Sequence, residues 1–447
     1  MGTKINFLCF DKFNATMLIG NNLHLTYCSN IHPGETWNEV FNALKENIPS
    51  IKKSLAPEKS FGIGLRLSDE AAKDLLHNNE LEIFKSWLDK NDCYVFTMNG
   101  FPYGGFHNTI VKDDVYKPDW TTNERLLYTS NLIKILEHLI PNNSEAGIST
   151  SPLSYKPWMI NSCNTTDVFE TAAVNLIKCV VDLHHIRKTT GKYIHLDIEP
   201  EPDCLLENSK ETIDFFNNYL IPYGTDFLTA TLHVDEKTAR AIITDHITVC
   251  YDVCHFAVEF GEPGEVLKAF KDAGIKIGKV QISAALKVVT DPDASTHPDP
   301  PEGGRSSISD DKYTEGLPLG QGLNRENVLK QYKAFAESTY LHQTIVRDKK
   351  NKLHHFSDLP EALKHFDDEN FVEWRTHYHV PVFMQSYNEL QSTQEEILKV
   401  LSILKENHFT NHLEVETYTW EVLPKEDRIE IKDSIVRELK WVIENFK

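Results

Sequence analysis

The chain has 447 residues, 40% hydrophobic and 25% charged, which are ordinary proportions for a folded globular protein. Its 66 acidic residues against 46 lysines and arginines give a net charge of −20. A surface so acidic repels phosphate backbones and argues against nucleic acid as a partner. No apolar run reaches the roughly 18 residues of a membrane span, so no membrane insertion is expected.

In chain order, residues 1–16 fit no element and read as an N-terminal extension, with a single folded domain over 17–447. The opening apolar stretch is too short for a secretory signal and lacks a small-residue cleavage site. With eight scattered cysteines and no C-x-x-C pair, this points to a reducing cytoplasm. Strands are expected over 25–30, 61–67, 94–99, 147–150, 193–199, 248–255, 276–283 and 412–419. Amphipathic helices are expected over 35–48, 123–139, 167–186, 235–246 and 265–273, from apolar spacings of three and four. Gly191 and Gly274 stand where C-terminal caps belong. Eight strands alternating with helices predict an α/β fold, a (β/α)8 TIM barrel. An open doubly wound sheet would instead carry a Gly-rich turn after the first strand, and none is visible.

The alternation breaks once. A rim insertion over 287–383 follows the seventh strand and reads as a lid with a hairpin. It opens with a turn-rich stretch over 290–304. A helix over 324–336 and a hairpin from 341–346 and 352–356 follow, then a strand-like run over 374–383.

The chemistry-bearing residues sit at strand ends. In a parallel barrel, all carboxyl ends converge on one rim. Strand five carries His195, Asp197, Glu199 and Glu201 on one face, because side chains alternate. A carboxylate inside a barrel is costly unless paired or metal-bound, and Glu199 is placed latest on the strand. Strand six offers Asp252 as a ligand and His255 to orient a substrate hydroxyl. Strand seven offers Gln281, and strand eight offers Glu414 and Glu416. His379, beside His377, can supply an imidazole from the insertion. Asn30, His32 and Asn99 read as hydroxyl-binding groups, and Arg375 and Arg66 as candidates for an anionic substrate. Cys250 and Cys254 share a face if both lie on a strand; buried filler is favoured over zinc ligation, since no second cysteine pair is present.

Glu199, Asp252 with His255 three residues on, and Glu416 resemble the ligand set of the xylose isomerase-like TIM barrel superfamily. That resemblance implies a divalent metal (manganese, magnesium or zinc) held by Glu199, Asp252, Gln281, His379 and Glu416. Gln281 departs from the histidine usual in the epimerases, and His379 compensates. Residues 25–37, 99–104 and 413–420, with His377-x-His379-Val-Pro381, resemble more narrowly the EboE-type metabolite traffic proteins. This implies a link to metabolite export and to protein partners of the same gene cluster.

The expected function is a metal-dependent sugar isomerase or epimerase acting on a small polyhydroxylated metabolite. Glu199 and Glu416 would be the acid and base. His32, Asn99, His255, Glu201, Glu414 and Arg375 would bind substrate. The alternative is a non-catalytic binding or carrier protein of the same pathway. A metal-dependent nuclease would need a basic duplex-binding face, against which the net charge speaks.

Overall fold

Eight strands run parallel around a barrel in sequence order: Leu23–Tyr27, Phe61–Arg66, Cys93–Asn99, Glu145–Thr150, Tyr193–Ile198, Ile247–Asp252, Ile277–Ile282 and His412–Val415. These belong to a computed structural model that describes residues 18–19, 23–105, 111–159, 165–291, 325–417 and 430–447. The eighth strand pairs with both the seventh and the first. The seam between the first and second strands is closed by a parallel bridge, Cys28 to Gly64. There the Thr26 hydroxyl donates to the Gly62 carbonyl at 2.7 Å and accepts from the Gly64 N–H at 3.2 Å. The chain is thus an α/β protein with a closed (β/α)8 barrel.

Apolar stripes hold the helices on the outside. Helix Trp37–Leu55 starts at a capping box, Thr36 with Glu39, and buries Trp37, Val40, Phe41, Leu44, Ile48 and Ile51. Its stripe runs past Pro49 to Leu55, one turn or more beyond the expected end. Helix Asn123–Leu139 keeps its predicted bounds, started by the Thr122 cap. Helices Asp69–Leu75, Glu80–Lys90, Gln394–Glu406 and Ile431–Phe446 were not read from the sequence. Asp69–Leu75 is only 7 residues long, whereas Glu80–Lys90, Gln394–Glu406 and Ile431–Phe446 carry apolar stripes that the sequence does show.

The sixth strand is shorter than expected. It ends at Asp252, and a helix, Val253–Val258, begins at once. Cys254 and His255 are therefore helical, so Cys250 and Cys254 share no strand face. The six described cysteines are all buried free thiols. The eighth strand ends at Val415; residues 418 and 419 of the expected strand lie outside the described residues, as do 1–16 and 292–304.

After the seventh strand the chain continues through Ser283 into Ala284–Val289, the centre of a second, antiparallel sheet. Its strands run in the order Leu353–Phe356, Thr344–Asp348, Phe371–Val380, Ala284–Val289, Leu390–Ser392, Ser386–Tyr387. Helix Arg325–Lys333 accompanies it.

The barrel lumen is polar. Lys279, fully buried, donates to Glu414 Oε2 at 2.6 Å and to Ser149 Oγ at 3.1 Å. Burial lowers the Lys279 pKa, but Glu414 and the acids above it outweigh this and hold the ammonium charged. Removing one partner of a buried pair typically costs about 3–5 kcal/mol, since the other charge is left bare. Lys279→Met should lose stability of about that size in denaturant unfolding. The double variant Lys279→Met/Glu414→Gln should regain most of it.

Candidate metal site and substrate cleft

At the carboxyl ends of the strands lies a narrow cleft. Asn30, Asn99, Tyr116, Glu199, Glu201, His255, His377, His379 and Glu416 line it, with Lys112, Leu341 and several apolar side chains from loops. The barrel and the inserted sheet contribute together.

Asp252, Glu416 and Glu201 are each held by hydrogen bonds to one oxygen. Asp252 caps the helix Val253–Val258: Oδ1 accepts the His255 N–H at 3.0 Å and the Ser283 hydroxyl at 2.7 Å. Its Oδ2 is buried with no hydrogen-bond partner, and so is Glu199 Oε2. Glu416 Oε1 accepts from both Asn30 Nδ2 at 2.8 Å and Asn99 Nδ2 at 2.9 Å. Tyr116 donates to Glu201 Oε1 at 2.8 Å.

The three histidines are oriented by carbonyls. Nδ1 of His255 lies 3.0 Å from the Pro200 carbonyl, and Nδ1 of His379 lies 2.9 Å from the Glu416 carbonyl. His377 Nδ1 meets Gln343 Oε1 at 2.8 Å; the Gln343 amide is fixed in turn by donating to the Pro202 carbonyl. A carbonyl can only accept, so each of these Nδ1 atoms carries the proton, and Nε2 is the basic nitrogen. The His377 and His379 Nε2 atoms stand 3.3 Å apart. Ligand atoms of Asp252, His255 and His379 lie within 4.8 Å of one another, as do those of Glu201, His255 and His377.

Crowded negative charge shifts the acids. Burial, then Glu416 and Asp252, push Glu199 well above the carboxylate range. Burial, then Asp252 and Glu414, do the same to Glu416. Burial pushes Glu201 up to about 7. Burial also opposes charge on Asp252, but His255, His379 and its hydrogen bonds outweigh this and hold it low. Burial depresses His379 to about 4 and His377 well below its usual value.

These residues fit a divalent cation. Two buried carboxylate oxygens lack partners, a third carboxylate sits beside them, and an imidazole of fixed tautomer faces them. Such oxygen and nitrogen donors suit manganese, magnesium or zinc. Glu199, Asp252, Glu416 and His379 would hold the ion.

Of the expected site residues, Glu199, Glu201, Asp252, His255, His379 and Glu416 come together. Gln281 does not join them: it is fully buried beside Cys250, whose thiol donates to its Oε1 at 2.9 Å, and it lies outside the cleft lining. Glu414 points into the lumen and binds Lys279 rather than substrate. Asn99 reaches the cleft, but its amide is spent on Glu416 and on the Phe101 N–H, so it orients a carboxylate. The 3-10 turn Ser29–Ile31 brings Asn30 to the cleft and sets His32 against the Tyr27 hydroxyl at 2.8 Å, beside a separate shallow pocket. Arg375 clamps the inserted sheet to the barrel: it donates to Glu373 at 2.7 Å and to the Ala257 carbonyl at 2.8 Å, and stacks on Phe260. It is 2% exposed and does not line the cleft. Lys112, paired with Asp358 at 2.7 Å, lines the cleft instead. Asn30, expected to bind a hydroxyl, does reach the cleft but is spent on Glu416; Tyr116 and Lys112 were not assigned from the sequence, because they lie on a 3-10 turn where no periodicity marks them.

No family model matches the chain, and no curated protein does. Solved structures similar to it include the IolI protein with a bound zinc atom, at 11% identity, covering 94% of this chain and 95% of that one, with TM-score 0.41. A xylose isomerase-like TIM barrel protein from Mycobacterium smegmatis in complex with magnesium matches at 8% identity, covering 91% and 88%, with TM-score 0.44. A D-tagatose 3-epimerase-like protein matches at 12% identity, covering 58% and 76%, with TM-score 0.35.

Because Glu199 and Glu416 hold protons more tightly than free carboxylates, a cation must displace those protons. Metal affinity should therefore rise with pH above the ordinary carboxylate range, as these two acids ionise, and fall as pH is lowered. Calorimetry in buffers of different ionisation enthalpy should show net proton release on binding.

Proposed function

We propose that this protein is a divalent-metal-dependent isomerase or epimerase of a small polyhydroxylated or carbonyl metabolite. The observation that supports this best is the pair of unpartnered buried oxygens, Glu199 Oε2 in the cleft wall with Glu416, and Asp252 Oδ2 behind the cleft-lining His255 and His379. A bound divalent ion would chelate adjacent substrate oxygens and acidify the neighbouring carbon-bound proton.

The protein's own groups carry the proton. Glu199 takes it from the carbon, and Glu416, aimed by Asn30 and Asn99, returns it. Both hold protons more tightly than free carboxylates, because burial and neighbouring acids oppose their charge. His255 Nε2 accepts a hydrogen bond from a substrate hydroxyl. Phe101, Val111, Val115 and Leu341 on the cleft wall exclude water around the reacting carbon. The inserted sheet, which carries His377 and His379, is the lid over this rim.

The narrower motif resemblance supports a place in metabolite traffic, in the cytoplasm and beside other proteins of that pathway. A carrier would bind the metabolite without converting it. Incubation of candidate sugars in deuterated water separates the two, since proton transfer places solvent deuterium on the substrate carbon. Glu199→Gln and Asp252→Asn should abolish metal binding in the cleft and deuterium exchange together. Full metal occupancy in Glu199→Gln would remove Glu199 from the ligand set. Residues 1–16 we take as a dispensable arm; their deletion should leave the melting temperature unchanged.

A further inference from the structure

The amino-terminal end of the barrel holds another group of ligating side chains, which the cleft does not use. Glu145 opens the fourth barrel strand, His195 is third in the fifth, and His412 opens the eighth. One ligand atom from each lies within 4.8 Å of the other two.

The partners of these residues leave specific atoms over. His195 Nδ1 is bonded to Asp197 Oδ1 at 2.5 Å, and Asp197 also accepts the Thr248 hydroxyl. His195 Nε2 then faces Glu145 Oε1 at 3.7 Å, too far for a hydrogen bond, and has no other partner. Glu145 Oε2 accepts the Asn411 amide at 2.7 Å, which leaves Oε1 to turn inward. His412 is 1% exposed, yet neither of its ring nitrogens has a partner. An ion pair of His195 with its two carboxylates accounts for His195 but leaves His412 bare. Buried polar atoms without partners are costly.

The His195 and His412 rings lie 21° from parallel, at a spacing that a shared metal ion would also give. The His195 and His412 centroids are 5.3 Å apart. Two imidazoles on one zinc ion, with Zn–N near 2.0 Å and a tetrahedral angle, have centroids about 5 Å apart. Space for the His195–Asp197 pair is set by two glycines: a Cβ on Gly147 or Gly278 would come within 2.6 Å of it.

We propose that Glu145, His195 and His412 form a zinc site at the amino-terminal end of the barrel, with solvent as fourth ligand on the Glu145 side. Two imidazoles and one carboxylate suit zinc better than magnesium, which takes oxygen donors. Asp197 is the carboxylate that fixes the tautomer of His195 behind the metal. The site ties together three strands distant in sequence, on the face of a barrel associated with stability rather than chemistry. It is independent of the reading given to the cleft.

The test uses the full-length protein, stripped with chelator and titrated with zinc chloride. Asp252→Asn disables the cleft, so zinc retained by that variant reports the second site. One equivalent should remain in Asp252→Asn and be lost in Asp252→Asn/Glu145→Gln and Asp252→Asn/His412→Phe. Zinc should raise the melting temperature of the first variant and of neither double variant. Crystals of the zinc-loaded protein should show an anomalous peak between the three side chains. No zinc in Asp252→Asn, equal zinc in all three variants, or a peak elsewhere would overturn the proposal. Glu145 is partly exposed, so Glu145→Gln keeps the test open where His412→Phe fails to fold.

Discussion

The structure turns on negative charge gathered in a place water barely reaches. Glu199, Asp252 and Glu416 converge at one rim with Glu201 beside them, all buried. The buried ammonium beneath them, Lys279, is already committed to Glu414. The rim must therefore take up protons or a cation, because isolated buried carboxylates are too costly. The neighbouring groups are arranged for the second outcome. Asn30, Asn99, Ser283 and the start of helix Val253–Val258 each fix one oxygen of a carboxylate and leave the other available.

A polar lumen is the second consequence. Barrel interiors are usually filled by layers of branched apolar side chains. Here the layers hold His195 with Asp197 and Lys279 with Glu414, and the strands make room by dropping side chains. A Cβ on Gly64 would sit 2.0 Å from Glu414 Oε1, and one on Gly278 equally close to Asp197 Oδ1. Cohesion then comes from outside, where the strand residues Ile194, Leu196 and Ile198 belong to one continuous apolar cluster with the helices.

The inserted sheet completes what the barrel lacks. The seventh strand offers Gln281, whose oxygen is taken by a thiol, and no imidazole. Strand Phe371–Val380 supplies His377 and His379 from above. Its pairing with Ala284–Val289 shifts register between Thr376 and Val380, over the stretch that bears both histidines. Such irregularities re-aim side chains, and they recur beside active sites.

The sequence by itself determined the barrel. Alternating strand and helix periods are local properties, and the rim position of Glu199, Asp252 and Glu416 follows from strand polarity alone. It also separated the inserted segment, whose turn-rich opening breaks the alternation. Only tertiary structure decided which of the candidate side chains share one cleft. Glu414 and Glu416 lie two apart in sequence, yet the first, on the strand, meets Lys279 in the lumen, and the second, just past the strand's end, meets Asn30 and Asn99 at the rim. His32, Arg375 and Gln281 look like site residues in sequence, and each is taken up elsewhere: His32 by nearby Tyr27, Arg375 by the distant Ala257 carbonyl and Gln281 by Cys250. Which polar group is spent on a neighbour and which is left over depends on distances between strands, and no local pattern carries those distances.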